Sequence, residues 1–435
     1  MTTYTPLEAE VIRICQDLIR IPSVNFGGGI GDERAVAEYV VASLAEVGIE
    51  STMYESAPGR CNVMARLPGR DSQRPGLVVH GHIDVVPANA DEWSVDPFCG
   101  DIIDGMIWGR GAVDMKNMDA MILATVREWS RSGYVPPRDI VLAFFADEEA
   151  GSIFGSHWLV DNHPELFAGC SEAVSEVGGF SVTVGGGKRL YMIETAEKGI
   201  HWMKLTAHGR AGHGSVMNDE NALTRLTEAI AKIGNHQWPQ RYSATVKALF
   251  KRVAAATGKT YDENDLRPLL SEVGFAARMI GATLQNTANP TMLEAGYKAN
   301  VIPGSASAVV DGRFIPGFED ELNETIKSLI GPHVSIETIT RDKALEVPFE
   351  GDLVDAMCAA IMKEDPEAIP VPYLMSGGTD NKALAELGII GYGFSPLKLD
   401  EEFDFMAMFH GVDERVPVEG LTFGVRVLKD FLENS

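Results

Sequence analysis

Leu7, Val11, Ile12, Cys15, Leu18 and Ile19 recur at helical spacing near the start of the chain. They follow a Thr5-Pro6 pair suited to an N-cap and a first helical position, and Pro22 closes the run. A second helical pattern over 32–47 stops at Gly48. Beyond it, short apolar runs alternate with helical patterns. GLVVHGHIDVV at 76–86 and DIVLAFF at 139–145 read as buried strands, with helices expected after Asp114 and over 153–160. This alternation predicts an α/β fold whose mostly parallel sheet is covered by helices. Both apolar runs end in polar residues, His80, His82 and Asp84 in one, Asp147, Glu148 and Glu149 in the other. Open α/β sheets bind ligands at those strand ends.

The texture changes from about 197 to 343. HWMKLTAHG, a helical stretch over 221–233, and the strand-like MLEAGY and SASAVVDGRF predict a separate α+β unit, and from Ala344 onward helix and apolar-strand texture returns. The expected organisation is therefore one domain from 1–196 and 344–435, with 197–343 inserted in it. The Gly185-Gly186-Gly187 run reads as a tight turn between two strands.

At 435 residues the chain is long enough for two or three domains. Its 37 Lys and Arg against 62 Asp and Glu give a formal charge of −25, which repels phosphate backbones and anionic lipid. No nucleic-acid or membrane partner is expected. Cys15, Cys61, Cys99, Cys170 and Cys358 are scattered and form no C-x-x-C pair, which fits a reducing, cytoplasmic location. Glu8 and Glu10 stand where an export signal would need a basic start and an apolar core, and no long uncharged run predicts a membrane span.

The chemistry lies in a dispersed set of metal-binding residue types. His82 and Asp84 stand in HGHIDVVP, Asp114 in GRGAVDMK, Glu148 and Glu149 in ADEEAGS, Glu176 in SEVGG, and His410 in FHGVDERVP. Singly, each has an ordinary structural reading. Several directly follow apolar runs, however, and zinc favours this mixture of imidazole and carboxylate. Two positions apart at a strand end, Asp84 faces the same side as His82 and is placed to orient its ring. Adjacent Glu148 and Glu149 point different ways, so one can bind metal while the other serves a water as base. His80 is read as structural, and the FDFMAMF stretch at 403–409 as packing beside the site or an acyl pocket.

Taken together, the motifs GHIDVVP, WGRGAVDMK, DEEAG, SEVGG, GRAGHGS, NVIPGSASAVVDGRF, SGGTD and HGVDERV follow one another as in a known family. The chain resembles the dinuclear zinc metallopeptidases that include aminoacylase, acetylornithine deacetylase, succinyl-diaminopimelate desuccinylase and glutamate carboxypeptidase. The resemblance spans nearly its whole length. It implies a zinc-exopeptidase-like catalytic domain with an inserted dimerisation, or lid, domain. It also implies two zinc ions, replaceable by Co²⁺, one held by His82, Asp114 and Glu176 and the other by Asp114, Glu149 and His410. Glu148 would be the general base, with Asp84 beside His82. His213 in GRAGHGS would polarise the scissile carbonyl from a neighbouring subunit, making a homodimer functional. Asn300, Arg313 and the loop carrying Gly377, Gly378 and Thr379 would grip the substrate's carboxylate. A cis peptide after Asp114 is implied as well. The three ligand carboxylates and a hydroxide would balance two dications, whereas with one ion the carboxylates would repel one another.

Two positions depart from the family pattern. Asn117 replaces a common glycine, and glutamate at 176 points to deacylases more than to peptidases. The expected activity is hydrolysis of the amide of an N-acyl amino acid or short peptide with a free carboxylate. The alternatives are a carboxypeptidase or dipeptidase using the same site, or a metal-containing binding protein without turnover.

Overall fold

The structure is a computed structural model describing residues 3–435. The first helix, Pro6–Ile19, begins with a reciprocal cap: the Glu8 N–H donates to Thr5 Oγ1 at 3.3 Å and the Thr5 N–H to Glu8 Oε2 at 2.8 Å. At its other end the Lys116 ammonium donates to the carbonyls of Leu18 and Ile21, both at 2.9 Å. Lys116 opens the helix Lys116–Ser132, which lies buried between the first helix, the last helix Val418–Asn434 and the main sheet.

That sheet begins with β1 (Thr52–Ala57), β2 (Arg60–Leu67), β3 (Gly76–His82), β4 (Ile140–Phe145), β5 (Cys170–Ser175), β6 (Phe180–Val184) and β7 (Lys188–Glu197). The chain then builds a second sheet from β8 (Gly199–His208), β9 (Thr287–Ala295), β10 (Ser305–Phe314) and β11 (Val334–Asp342). It returns to the first with β12 (Ile369–Met375) and β13 (Ile390–Gly393). The main sheet has ten strands, with β6-β7-β13-β5-β3-β4-β2-β1 in order, and β12 and the short strand Leu345–Glu346 pair with β7.

The sheet is mixed, where the apolar pattern predicted one mostly parallel. Its centre, β13-β5-β3-β4, is parallel, as is the β7/β12 pair. The β1/β2 and β6/β7 pairs are antiparallel because connections of two and three residues can only fold back. The second of those connections is the predicted triple-glycine turn. β3 and β4 are buried along their whole length, as continuous apolar runs in a sheet covered on both faces should be.

The four-stranded sheet, in the order β9-β10-β8-β11, packs with the helices Ala222–Gly234 and Glu319–Ile330 around its own core. The expected insert 197–343 is not uniform in its packing. The helix Ala244–Thr257 and the turns up to Leu284 bury Val246, Phe250, Leu269 and Ile280 in the large core, against β6, β7 and β12. Part of the insert therefore folds back onto the main body. All five cysteines are free, and among the described residues no helix is long and apolar enough to cross a membrane.

β3 is pressed hard against the helix behind it. A Cβ on Gly81 would lie 2.3 Å from Asp119 Oδ1 and 2.7 Å from Met115 Cε. Gly81→Ala should lower unfolding stability by about 1–3 kcal/mol in a urea titration, as overpacking does. Unchanged stability would mean that β3 is free to shift.

Candidate metal centre and substrate cavity

The carboxyl ends of the parallel strands deliver the site. β3 ends on His82, β4 runs into the Asp147–Glu148–Glu149 turn, and β5 is followed at once by Glu176. Asp147 adopts a left-handed φ of 67° in that turn. Its carboxylate is paired with the buried Arg60, which also meets Glu33 at 2.9 Å, and accepts from Asn25 Nδ2 at 3.0 Å. Asn25 Nδ2 also donates to Asp84 Oδ2 at 2.8 Å. Asp84 takes the N–H groups of Glu148 and Glu149 at 3.1 and 3.2 Å, so one carboxylate fixes both the turn and the end of β3.

The His82 ring donates from Nδ1 to the Asp84 carbonyl at 3.0 Å, with Asp84 Oδ1 3.4 Å away. In the neutral ring the proton therefore belongs on Nδ1, which leaves the Nε2 lone pair for a cation. Asp114 lies in a loop held by Glu414, which accepts from the Val113 N–H at 2.8 Å, the Asp114 N–H at 3.2 Å and Arg110 Nη1 at 2.6 Å. The Asp114–Met115 peptide is cis. Glu414, Arg110, Asn25 and Arg60 escaped the sequence reading, although two of them stand inside motifs already quoted, GRGAVDMK and HGVDERV.

Two triads form around Asp114. His82 Nε2 lies 3.1 Å from Asp114 Oδ1 and 3.7 Å from Glu176 Oε2. His410 Nε2 lies 3.3 Å from Asp114 Oδ2 and 3.0 Å from Glu149 Oε2. Within each triad the ligand-type atoms all fall within 4.8 Å of one another. Asp114 thus turns one oxygen to each group, the geometry of a bridging carboxylate.

The charges fit cations better than they fit each other. Burial pushes Glu176 up to about 8 against the pull of His82, and burial likewise drives Glu148 well above the usual carboxylate range, with Glu176 and Glu149 adding to it. Burial opposes charge on His82, yet Glu176, Asp114 and Asp84 hold its pKa well above the ordinary value. Hydrogen bonds to Asp114 and Glu149 lift His410 to about 10. Glu149 Oε1 is buried without a hydrogen-bond partner. Carboxylates and imidazoles in this arrangement, with an orphaned oxygen, suit two small dications.

Beside the triads lies a cavity of about 430 Å³. Its metal wall carries Asp114, Glu148, Glu149, Glu176 and His410, and its far wall carries Ile200 and Trp202 of β8 and Arg313 of β10. Met279, Met375, Met406 and Phe409 add apolar lining. Of the FDFMAMF stretch, Met406 and Phe409 face this cavity while Phe403, Phe405 and Met408 are buried, so it serves both packing and lining.

Gly377, Gly378 and Thr379 reach the cavity, but the Thr379 amide and hydroxyl already donate to Glu197, at 3.0 and 2.6 Å. The expected offer of the Thr379 N–H to a substrate is corrected accordingly: the buried Glu197 takes it. Arg313 faces the cavity with its fork on Asp311, at 2.7 and 3.2 Å. His213 and Asn300 are exposed, at the short pairing of Gly212–His213 with Val301–Ile302, and neither lines the cavity of its own chain. The Ser215 N–H donates to His213 Nδ1 at 3.3 Å, which in the neutral ring leaves the proton on Nε2. His80 is structural: its Nε2 bonds Asn381 Oδ1 at 3.0 Å, and burial lowers it to about 4.

A mixed α/β sheet whose strand ends bring His82, Glu149 and Glu176 to Asp114 and His410 from neighbouring loops has the make-up of a metal-dependent hydrolase. Residues 78–434 match the peptidase family M20/M25/M40, and the chain belongs to that family. It is 25% identical to the N-fatty-acyl-amino acid synthase/hydrolase PM20D1 of Xenopus tropicalis, over 98% of this chain and 86% of that one. It is 26% identical to aminoacylase-1 of Sus scrofa, over 92% and 90%. The M20 metallo-carboxypeptidase Sso-CP2 of Sulfolobus solfataricus shares the fold, with a TM-score of 0.74 at 17% identity over 98% and 99% of the two chains.

Glu176 at about 8, His410 at about 10 and His82, held well above its ordinary range, carry protons near neutral pH in the metal-free protein that they must lose to ligate a cation. Zinc titrated into metal-free protein should therefore release protons at neutral pH, measured by calorimetry in buffers of different ionisation enthalpy. Since these pKa values are raised, the release shrinks as pH climbs through 8 toward 10. A release that grows between pH 8 and 10 contradicts the assignment.

Proposed function

We propose that the chain is a dinuclear zinc amidohydrolase acting on N-acyl amino acids with a free carboxylate, as a homodimer in a reducing compartment. One observation carries the reading: a single cavity is lined by Asp114, Glu149, Glu176 and His410 of the two triads, by Glu148 and Arg313, and by the apolar Met279, Met375, Met406 and Phe409. Such a cavity suits a ligand with an anionic end, an amide near the metal wall and an apolar acyl group.

Two zinc ions between these residues would supply Lewis acidity to the carbonyl and lower the pKa of the attacking water from 15.7 toward about 7. Glu148 takes the proton of that water as its oxygen adds to the carbonyl carbon. As the C–N bond breaks, Glu148 returns the proton to the leaving nitrogen, giving a carboxylic acid and a free amino acid. Asp84 keeps His82 in the tautomer that offers Nε2. Arg313, with Asn300 and the amides of Gly377 and Gly378, receives the substrate carboxylate.

His213 reaches the carbonyl oxygen from a second copy. The free edge of β9 exposes Met292 and Leu293, near in sequence to Tyr297, which is 82% exposed, and a second copy seated there would cover this apolar surface. The five free cysteines suit a reducing compartment.

Glu148→Gln should retain its zinc, counted by elemental analysis, while turnover falls about 10²–10⁴-fold. Turnover at the wild-type rate would remove Glu148 from the mechanism. On a panel at matched zinc loading, N-acyl amino acids with medium or long acyl chains should be cleaved faster than dipeptides. The reverse order would favour the carboxypeptidase or dipeptidase reading.

A further inference from the structure

The cavity has two walls on two bodies, since Ile200, Trp202 and Arg313 belong to the four-stranded sheet and the metal-binding residue types to the main one. Catalysis needs the walls in register, so whatever fixes the chain's passages between the bodies fixes the site. The outgoing passage is Lys198, between β7 and β8, and the return is Lys343, just after β11.

Lys382, 2% exposed, ties these two passages together. Its ammonium donates to the Lys198 carbonyl at 2.8 Å and the Lys343 carbonyl at 2.7 Å, and faces Glu197 Oε2 at 3.4 Å. Two N–H donors are thus satisfied and the charge is paired, all at the junction. The Lys198 side chain extends the clasp to a further passage, donating to the Ala282 and Gln285 carbonyls at 3.1 and 2.9 Å and to Thr287 Oγ1 at 3.3 Å.

The residues just before Lys382 fasten the same segment elsewhere. Thr379 is held by Glu197, the carboxylate that Lys382 faces. Asp380 Oδ1 accepts from Ser152 Oγ at 2.6 Å and Ser156 Oγ at 2.5 Å, joining the segment to the turn that carries Glu148. Asn381 meets His80 of β3. The path of the lysine is built in, since a Cβ on Gly378 would lie 2.3 Å from Lys382 Cε.

We propose that Lys382 is a positioning residue: by clasping the first and the last of the interdomain passages it holds the lid wall of the cavity in register with the metal wall and the glycine loop. The catalytic consequence rests on the amidohydrolase reading, whereas the clasp itself does not.

Lys382→Met tests it with two readouts on the full-length, zinc-loaded protein. kcat/KM on the best N-acyl substrate should fall about a hundredfold, as for a site misplaced by an ångström, with zinc content unchanged. Hydrogen–deuterium exchange should rise at 196–200, 285–287, 342–346 and 376–379 but not in β3, β4 or the helix Ala222–Gly234. Wild-type kinetics, or exchange rising uniformly over both bodies, overturns the proposal. Should Lys382→Met fail to fold, Gly378→Ala displaces the lysine stem while keeping its charge. The same local exchange pattern is then expected, and a wild-type pattern overturns the proposal. If the wild-type protein cleaves no amide on the panel, the functional reading fails, while the exchange pattern still decides the clasp.

Discussion

Asp114 is the constraint on which the site depends. One carboxylate turns Oδ1 toward His82 and Oδ2 toward His410, so two triads share one negative group inside a largely buried cluster of acids. Such a cluster is poorly stable by itself: burial drives Glu148, Glu149 and Glu176 toward their protonated forms. Dications between the triads would remove that conflict, and the fold around them supplies rigid support for the arrangement. Glu414 fixes the Asp114 loop, Asp84 fixes His82 and the Glu148 turn, and Arg60 and Asn25 fix Asp147.

The support is layered outward from the strand ends. The parallel centre of the main sheet aims β3, β4 and β5 at one point, and Asp119 of the buried helix Lys116–Ser132, with Met115 just before it, presses against Gly81 from behind. The second body contributes the opposite wall, and its separate core leaves the passages between bodies as the place where alignment is decided. A segment of the insert, up to Leu284, packs on the main core and adds a further tether.

Much of this was legible in the sequence, and the boundary of legibility is physical. His82, Glu148, Glu149 and Glu176 stand at or just beyond the ends of apolar strands, where local pattern and ligand chemistry coincide. The cap on the first helix, the glycine turn at 185–187 and the strand Ser305–Phe314 were readable from a few neighbouring residues each. The supporting contacts were not, because their partners lie far apart: Arg110 meets Glu414 across 304 positions and Lys382 meets Lys198 across 184. Nor does an apolar helix face announce which sheet it will cover, so 244–284 read as part of the insert. The sheet read as mostly parallel because its buried centre dominates the apolar pattern, while the antiparallel pairings that make it mixed, β1/β2, β2/β4, β6/β7 and β7/β13, lie toward its flanks.

The most direct measurement is anomalous diffraction at the zinc absorption edge from crystals of the zinc-loaded protein. The account predicts two peaks about 3.5–4 Å apart, one on each side of Asp114, with His82 and Glu176 on one and Glu149 and His410 on the other. A single peak, or peaks that do not share Asp114, would contradict it.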